Sequence, residues 1–233
     1  MPSKKKLGKK VISIFLKGLA IIFAFTLLIT VPLRWINPVT TSFILQAKFS
    51  SAKDAPKEIK QEWVSWDDIS PNMPIAVVAS EDQNFPTHFG FDFESINKVL
   101  SKKSRRVRGA STITQQVVKN LYLWPDKSFI RKGIEAYLTL FVEIFWPKQR
   151  ILEIYLNIAE FGCGIYGVEA ASRSFFNKPA SKLTAYQAAL LAAVLPNPRR
   201  MSAQNPSPYI KGRAEWIMKQ VKQLNGAEYL KDL

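Results

Sequence analysis

The first 33 residues combine a basic end with a long apolar run. Five of the first ten residues are lysines, and residues 11–33 are apolar except for Lys17. As a helix, this run is long enough for the ~30 Å hydrocarbon core of a bilayer, and the Lys17 ammonium can reach back towards the basic end. A cleavable signal peptide would have a shorter apolar core followed by an A-x-A-like site. The pattern therefore predicts one membrane-spanning helix, with residues 1–10 as a cytoplasmic tail.

Beyond this helix the pattern predicts a polar stalk over residues 34–62 and an all-α domain over residues 63–233. Within the domain, apolar residues recur at helical spacing, without sustained alternation and without an Asn-Gly or Asp-Gly hairpin turn. The predicted helices cover residues 74–80, 92–100, 112–123, 130–146, 148–160 and 167–176, and a buried run that ends before Pro196. Ser111 is predicted to cap the third helix, and Thr184 with Gln187 forms a capping box for the last. Two loops are predicted, a basic one over residues 101–109 and a glycine-containing one over residues 161–167.

The net charge of +15 is concentrated at the N-terminal end. Nine basic residues precede the first acidic residue, Asp54, and the chain from Asp54 onward carries 24 basic and 18 acidic residues. The domain is therefore only moderately basic and has no basic stripe with interleaved aromatic residues, so the sequence predicts no nucleic-acid partner and favours anionic membrane lipid. The single cysteine, Cys163, cannot form an internal disulfide, and no Cys/His cluster has the spacing of a structural zinc site.

Two carboxylates, Glu81 and Asp82, lie where an apolar helix gives way to a loop. The negative end of the helix dipole and partial burial both favour a protonated carboxyl group, so its pKa is expected to be raised. Such a group suits a general acid or base near neutral pH, although an acidic pair at a helix end is more often simply solvated. His88, the only histidine, follows in the same loop and is predicted to be either a structural hydrogen-bonding residue or a neighbour of the substrate.

A second polar cluster lies along the predicted helix 112–123. Ser111, Gln115 and Lys119 recur at four-residue intervals and share one face, with Gln116 and Asn120 beside them. Hydroxyl, amide and ammonium groups in a row suit sugar hydroxyls and a phosphate. An ordinary solvated helix face has the same composition, so both interpretations stay open at this point.

A third cluster places Arg131 four residues before Glu135 at the start of an amphipathic helix. This spacing is either an ordinary ion pair, worth about 0.3–0.5 kcal/mol, or a second functional carboxylate held ionised by cations. Further along, Glu153 and Asn157 share a helix face and are predicted to fix the loop that follows Asn157.

Five segments in order resemble the motifs of the glycosyltransferase domain of peptidoglycan synthases. They are EDQNFPTHFG, RGASTITQQVVKN, RKGIE, KQRILEIYLNIAEFG and GVEAASRSFFNKPASKLT. The resemblance extends from about Trp63 to the C-terminus, and with one membrane anchor and no room for a penicillin-binding domain the chain is similar to the monofunctional members. It implies a lysozyme-like helical fold with a smaller membrane-facing lobe, to which residues 92–109 would contribute.

The resemblance also implies roles for residues that the pattern had singled out. Glu81 would be the general base that takes the proton from the 4-hydroxyl of the acceptor lipid II, and Glu135 would assist departure of the lipid diphosphate. Lys127 stands where many relatives carry arginine, and it can supply charge but not a bidentate fork. The residues implied to bind the substrate are His88, Ser111, Gln115, Gln116, Lys119, Asn120, Lys127 and Arg131.

The implied setting is the cell inner membrane, with the catalytic domain outside the cytoplasm. The implied partners are lipid II, the nascent glycan strand and membrane lipid, and recruitment by cell-division or elongation proteins is left open. No cofactor is obligatory by resemblance, while a divalent cation (Mg²⁺ or Mn²⁺) is left open at the diphosphate beside Glu135.

Two other functions compete with this one. A lysozyme or lytic transglycosylase would share the fold and the paired acids, but a neutral glycan does not call for the cations at residues 119, 131 and 132. A non-catalytic membrane-tethered scaffold is supported only by the charge, and nine of the basic residues belong to the anchor and stalk.

Overall fold

The computed structural model describes residues 4–52, 55–94, 97, 111–126 and 128–233. Most of these residues are helical, which confirms the predicted class. The helices are α1 Lys4–Thr30, α2 Ser42–Lys48, α3 Asn72–Glu81, α4 Ile113–Tyr122, α5 Phe129–Phe145, α6 Lys148–Ile158, α7 Val168–Phe176, α8 Ala185–Val194 and α9 Pro208–Gln223. Most of the predicted helix 92–100 and the whole basic loop 101–109 lie outside the described residues.

The predicted loop 161–167 is instead part of a small three-stranded sheet, so that prediction was wrong. The strands are β1 Lys60–Gln61, β2 Glu160–Gly162 and β3 Ile165–Tyr166. Strand β3 lies in the middle, parallel to β1 and antiparallel to β2. Two or three residues are too few to show an alternating pattern, and β1 comes from a distant part of the sequence. Gly164 has a φ of +75°, and a Cβ there would lie 2.2 Å from the Glu58 carbonyl oxygen.

The core is built around two helices that are apolar on every side. Residues 73–79 of α3 and 188–194 of α8 are buried, as expected for helices surrounded by other elements. Helix α3 packs against α8 and α9. The predicted capping box of Thr184 and Gln187 begins α8 and is confirmed. Because α3 runs through the core, its last residue, Glu81, is delivered to the edge of the packed interior.

The N-terminal cap of α4 is Thr112 rather than Ser111. The Thr112 hydroxyl accepts from the Gln115 backbone N–H at 3.2 Å, and the Gln115 side-chain oxygen accepts from the Thr112 N–H at 3.0 Å. The same hydroxyl donates to the Gly90 carbonyl oxygen at 2.7 Å. Both residues have capping side chains, but only Thr112 is placed to bond the loop that follows α3. The cap therefore begins α4 and also joins it to that loop.

The C-terminal end of α1 and the residues that follow it are bound to the domain. The Trp146 indole donates to the Thr30 carbonyl oxygen at 2.9 Å, and the Tyr122 hydroxyl donates to Ile29 at 3.1 Å. Arg150 binds the carbonyl oxygens of Leu33 and Ile36, each at 3.0 Å. Residues 9–34 are long and apolar enough to cross a membrane, by length and composition. The predicted anchor is thus also packed against the folded domain at one end.

The interval predicted as a stalk contributes to the fold. Helix α2 packs on α4, and the Gln46 amide donates to the Leu123 carbonyl oxygen at 3.1 Å. Strand β1 pairs with β3. A run with few apolar residues can still be held by backbone hydrogen bonds, and hydropathy does not show these.

Asn157 and Glu153 have the predicted structural role but a different target. The Asn157 side chain, fully buried, accepts from the Val64 N–H and donates to the Val64 carbonyl oxygen, both at 2.9 Å. Glu153 accepts from the Trp66 N–H at 3.2 Å. These side chains fix the segment that enters the domain, because its backbone offers the donors and acceptor that a buried amide and carboxylate require.

Replacing Asn157 with alanine is expected to lower the free energy of unfolding by about 3 kcal/mol. Two partly buried backbone groups of Val64 would lose their partners, at about 1–3 kcal/mol for each group. Urea unfolding of the detergent-solubilised chain measures the change, and Asn205→Ala, at an exposed position, is the control. A change no larger than the control's would show that Asn157 does not hold this segment.

Candidate active site

Glu81 is the last residue of α3, and its side chain is 16% exposed. The Gln116 amide donates to Oε2 at 3.1 Å, and Nη2 of Arg213 lies 3.7 Å from Oε1. Burial raises the pKa of the carboxyl group above its ordinary value and Asp82 raises it further, while Gln116, Arg213 and Lys119 oppose the rise. The predicted direction of the shift is confirmed, and its main cause is burial.

A second hydrogen bond fixes the orientation of the Gln116 amide. The Tyr155 hydroxyl donates to Oε1 of Gln116 at 3.2 Å, which leaves the NH₂ group facing Glu81. Burial raises the pKa of Tyr155 well above its ordinary value, so the phenol remains a donor. The contacts of Gln116 within the protein are therefore those of a residue that positions Glu81.

Glu135 is paired far more directly than Glu81. Its side chain is 2% exposed, Nη1 of Arg131 lies 2.5 Å from Oε2, and Nζ of Lys132 lies 2.5 Å from Oε1. Both carboxylate oxygens thus receive a charged donor, and the predicted Arg131 pair is confirmed. The two acids are therefore held differently, because Glu135 has a charged donor at each oxygen and Glu81 has one close hydrogen bond, from an uncharged amide.

The cations around Glu135 extend the site towards Glu81. Lys132 also donates to the Ser111 hydroxyl at 3.1 Å, which places the predicted Ser111 beside this cluster. Burial lowers the pKa of Lys119, Glu135 and Glu81 oppose that shift, and Arg131 and Lys132 add to it. Lys119 therefore lies within the field of both carboxylates. Lys132 was absent from the predicted set, although its spacing of three residues from Glu135 was a usable signal.

Lys119 is also covered by a residue from the interval predicted as a stalk. Its Nζ lies 5.5 Å from the centroid of the Phe43 ring, which is contributed by α2. Phe43, Gln116, Lys119 and Asn120 line one cavity of about 220 Å³ together with Tyr155. Asn120 therefore lines the same cavity as Lys119, and its role in substrate binding stays a prediction. No local pattern indicated Phe43, since α2 is separated from α4 by more than sixty residues.

Gln115 and Arg131 each use part of their side chain in a hydrogen bond to nearby backbone. Gln115 is buried and forms the capping box with Thr112, so its side-chain oxygen faces the start of α4 rather than the row predicted with Lys119. Arg131 donates through Nε to the Asp126 carbonyl oxygen at 2.6 Å while it holds Glu135. Lys127 lies outside the described residues.

His88 has the structural role that was one of its two predicted alternatives. Its Nε2 lies 2.9 and 3.0 Å from the two oxygens of Asp82, and its side chain is 8% exposed. The Asp82 carboxylate also accepts from the Ile113 N–H at 2.9 Å. Asp82 therefore links the loop after Glu81 to the first turn of α4. His88, from the same loop, holds the Asp82 carboxylate in place through Nε2.

A protein-family model described as Transglycosylase matches residues 48–222. The chain belongs to this family of glycosyltransferases. The match begins inside the interval predicted as a stalk, in agreement with the packing of α2 and β1 against the domain.

Similar proteins agree with the transglycosylase assignment. A Biosynthetic peptidoglycan transglycosylase of Pseudomonas fluorescens is 48% identical over 211 residues, covering 89% of this chain and 88% of its own length. A protein of the same name from Cronobacter sakazakii is 57% identical over 171 residues, covering 72% and 71%. Another, from Xanthomonas campestris, is 54% identical over 179 residues, covering 76% and 73%.

The described part of this transglycosylase does not fit a resident metal ion. It contains no group of three or more His, Cys, Asp or Glu side chains that could hold one. Both oxygens of Glu135 are occupied by Arg131 and Lys132. A divalent cation bound directly to Glu135 would therefore have to displace these two side chains, and we derive no step through a metal.

Replacing Tyr155 with phenylalanine is expected to reduce the transglycosylase rate by about tenfold. The change removes a hydrogen bond worth about 1 kcal/mol and lets the Gln116 amide turn its oxygen towards Glu81. Steady-state rates measure the effect, with Tyr186→Phe, at an exposed position, as the control. Equal rates for both variants would rule out a positioning role for this hydroxyl.

Proposed function

We propose that this transglycosylase polymerises lipid II into the glycan strands of peptidoglycan. The growing chain would be transferred, with inversion, from its undecaprenyl diphosphate to the 4-hydroxyl of the next lipid II. The names of its relatives support the substrate class. The observation that carries the proposal is the unequal pairing of the two acids, with Glu81 weakly paired and Glu135 bound by two cations.

Glu81 is the general base in this mechanism. Its raised pKa gives the carboxylate a stronger affinity for a proton than an exposed glutamate has. It takes the proton of the acceptor 4-hydroxyl as that oxygen forms a bond to C1 of the donor sugar. The bond from C1 to the diphosphate oxygen breaks at the same time, and its electron pair leaves with the diphosphate.

The cluster around Glu135 binds the leaving group. Lys119, Arg131 and Lys132 supply three positive charges, and Glu135 supplies one negative charge that holds two of these cations in place. The net positive charge stabilises the charge that develops on the diphosphate. A hydrolase that cuts a bond between two sugars has no comparable need, which favours synthesis over cleavage.

The membrane setting is part of the proposal. Helix α1 would cross the inner membrane once with its five N-terminal lysines in the cytoplasm, so that the domain lies outside it. Phe129, Ile130 and Ile144 on α5 are 98%, 77% and 60% exposed, on the same helix that packs against α1. This apolar face suits the surface of the bilayer in which the lipid chain of the substrate lies.

Purified full-length protein incubated with lipid II is expected to yield glycan polymer, and incubation with finished strands is expected to yield no muropeptides. Glu81→Gln keeps the shape of the side chain but cannot accept a proton, so polymerisation should fall at least about 100-fold. Glu215→Gln, at an exposed position on α9, is the control. In the wild type the rate should fall as the pH drops through the raised pKa of Glu81, above the ordinary value of 4.5. Wild-type polymerisation by Glu81→Gln would disprove the role of the base.

Replacing Lys119 with methionine is expected to slow polymerisation by about 30- to 1000-fold. Methionine keeps a long apolar stem in the buried site but removes the charge, which corresponds to about 2–4 kcal/mol of barrier. Because the pKa of Lys119 is lowered, the wild-type rate should also fall at an alkaline pH below the ordinary lysine value of 10.5. Lys182→Met, at an exposed position, is the control. Unchanged kinetics in Lys119→Met would exclude this lysine from diphosphate binding.

A further inference from the structure

The C-terminal helix α9, to which the motifs assign no role, brings a guanidinium group to Glu81. Nη2 of Arg213 lies 3.7 Å from Oε1 of Glu81, and the two side chains are 11% and 16% exposed. Nε of Arg213 is buried and has no hydrogen-bond partner in the part of the chain that the structure describes. A largely buried arginine with an unsatisfied donor beside a candidate base calls for an explanation.

Helix α9 is held rigidly against the segment that carries Glu81. Ile210, Ala214 and Ile217 are buried in the core. Two residues after Glu81, the Gln83 amide donates to the Gln220 side chain at 3.1 Å, and the Gln83 carbonyl oxygen accepts from the Tyr229 hydroxyl at 2.9 Å. Gln220 and Tyr229 are thus hydrogen-bonded to the residue that follows α3 closely, and Gln220 lies on the same helix as Arg213.

The geometry differs from that of two close ion pairs in this protein. Arg150 lies 2.8 Å from Glu153, and Arg131 lies 2.5 Å from Glu135, both at hydrogen-bond distance. Nη2 of Arg213 lies 3.7 Å from Oε1 of Glu81, which is longer than a hydrogen bond. A buried charge without close hydrogen bonds tends to destabilise a fold, so the stability of the fold does not account for Arg213.

We propose that Arg213 is a positioning residue that keeps Glu81 ionised and leaves Oε1 free for the proton of the acceptor hydroxyl. Gln116 holds the other oxygen. The inference rests on the proposed role of Glu81 as the base. A guanidinium hydrogen-bonded to Oε1 would block the atom that must take the proton, whereas one at 3.7 Å acts through its charge and leaves that atom open.

Few other charges face Glu81. Asp82 raises its pKa, and Lys119 on α4 lowers it by less than Arg213 does. Asp82 is itself paired with His88, and Lys119 interacts more strongly with Glu135 than with Glu81. On α8, on α9 and in residues 226–230, the other titratable side chains are Tyr229, whose hydroxyl is bound to Gln83, and the exposed Tyr186, Tyr209, Lys211, Glu215, Lys219, Lys222 and Glu228. The buried phenol of Tyr155 on α6 also faces Glu81. Arg213 is therefore the main cation that opposes the effect of burial on Glu81.

The test compares the pH dependence of lipid II polymerisation by full-length wild type, Arg213→Gln and Arg213→Lys. Loss of the charge raises the pKa of Glu81 further, so the acidic limb of Arg213→Gln should move to higher pH by about one unit or more. Near the wild-type limb this is about a tenfold loss of rate, which is recovered at higher pH with little change in KM. Arg213→Lys keeps the positive charge, so the acidic limb of its pH–rate profile should lie close to the wild-type pH. Lys219→Gln removes a charge from the exposed side of the same helix and should leave the limb in place.

Several outcomes would overturn the proposal, and thermal unfolding of each variant separates them from misfolding. The proposal is wrong if Arg213→Gln is folded and the acidic limb of its pH–rate profile coincides with that of the wild type. A loss that is uniform over pH, accompanied by a lower unfolding temperature and not rescued by lysine, would show a structural role instead. In the Glu81→Gln background, adding Arg213→Gln should have no further pH-dependent effect. An active Glu81→Gln variant would refute the base itself, whereas an inactive one with an unmoved limb in Arg213→Gln refutes only the role of Arg213.

Discussion

The burial of one carboxylate at the end of an apolar helix is the constraint on which the rest of this site depends. Helix α3 can be apolar on every side only because α8 and α9 cover it, and its C-terminal end then places Glu81 at the boundary of the core. Burial favours the proton, and Gln116, Arg213 and Lys119 oppose it. The site balances these effects, and the balance gives an acid that is both ionisable and basic.

The second buried carboxylate, Glu135, is stabilised by direct ion pairs, unlike Glu81. Glu135 is as buried as the core, yet Arg131 and Lys132 each bind one of its oxygens directly. Its carboxylate therefore fixes the positions of two cationic side chains. Lys119 interacts with both carboxylates and so links the two halves of the site. Lys119, on α4, thus lies between carboxylates that α3 and α5 contribute.

The segments around the domain also shape the site. Phe43 from α2 covers Lys119, Trp146 binds the last residue of α1, and Arg150 binds Leu33 just beyond it. Helix α5 carries Glu135 and also packs against α1, so the anchor and the anion-binding cluster share a rigid element. Through α5, the apolar N-terminal helix is connected directly to the element that carries Glu135.

The sequence by itself determined the features that depend on residues within one or two helical turns of each other. The apolar run of α1, the buried helix after Thr184 and the pairing of Arg131 with Glu135 all follow from local spacing. The family motifs added the remaining identification of Glu81 as a candidate base, which the residues alone had left open.

Only the tertiary structure decided which distant groups meet. Thr112 rather than Ser111 caps α4, and the same hydroxyl reaches the Gly90 carbonyl oxygen of a distant loop. Gln116 and Arg213 come to Glu81 from two different helices, and no local pattern connects them. Helical periodicity shows which face of a helix is apolar, but not which other face will cover it or at what register. Contacts that cross between elements are therefore set by packing, and these are the contacts that set the charge of Glu81.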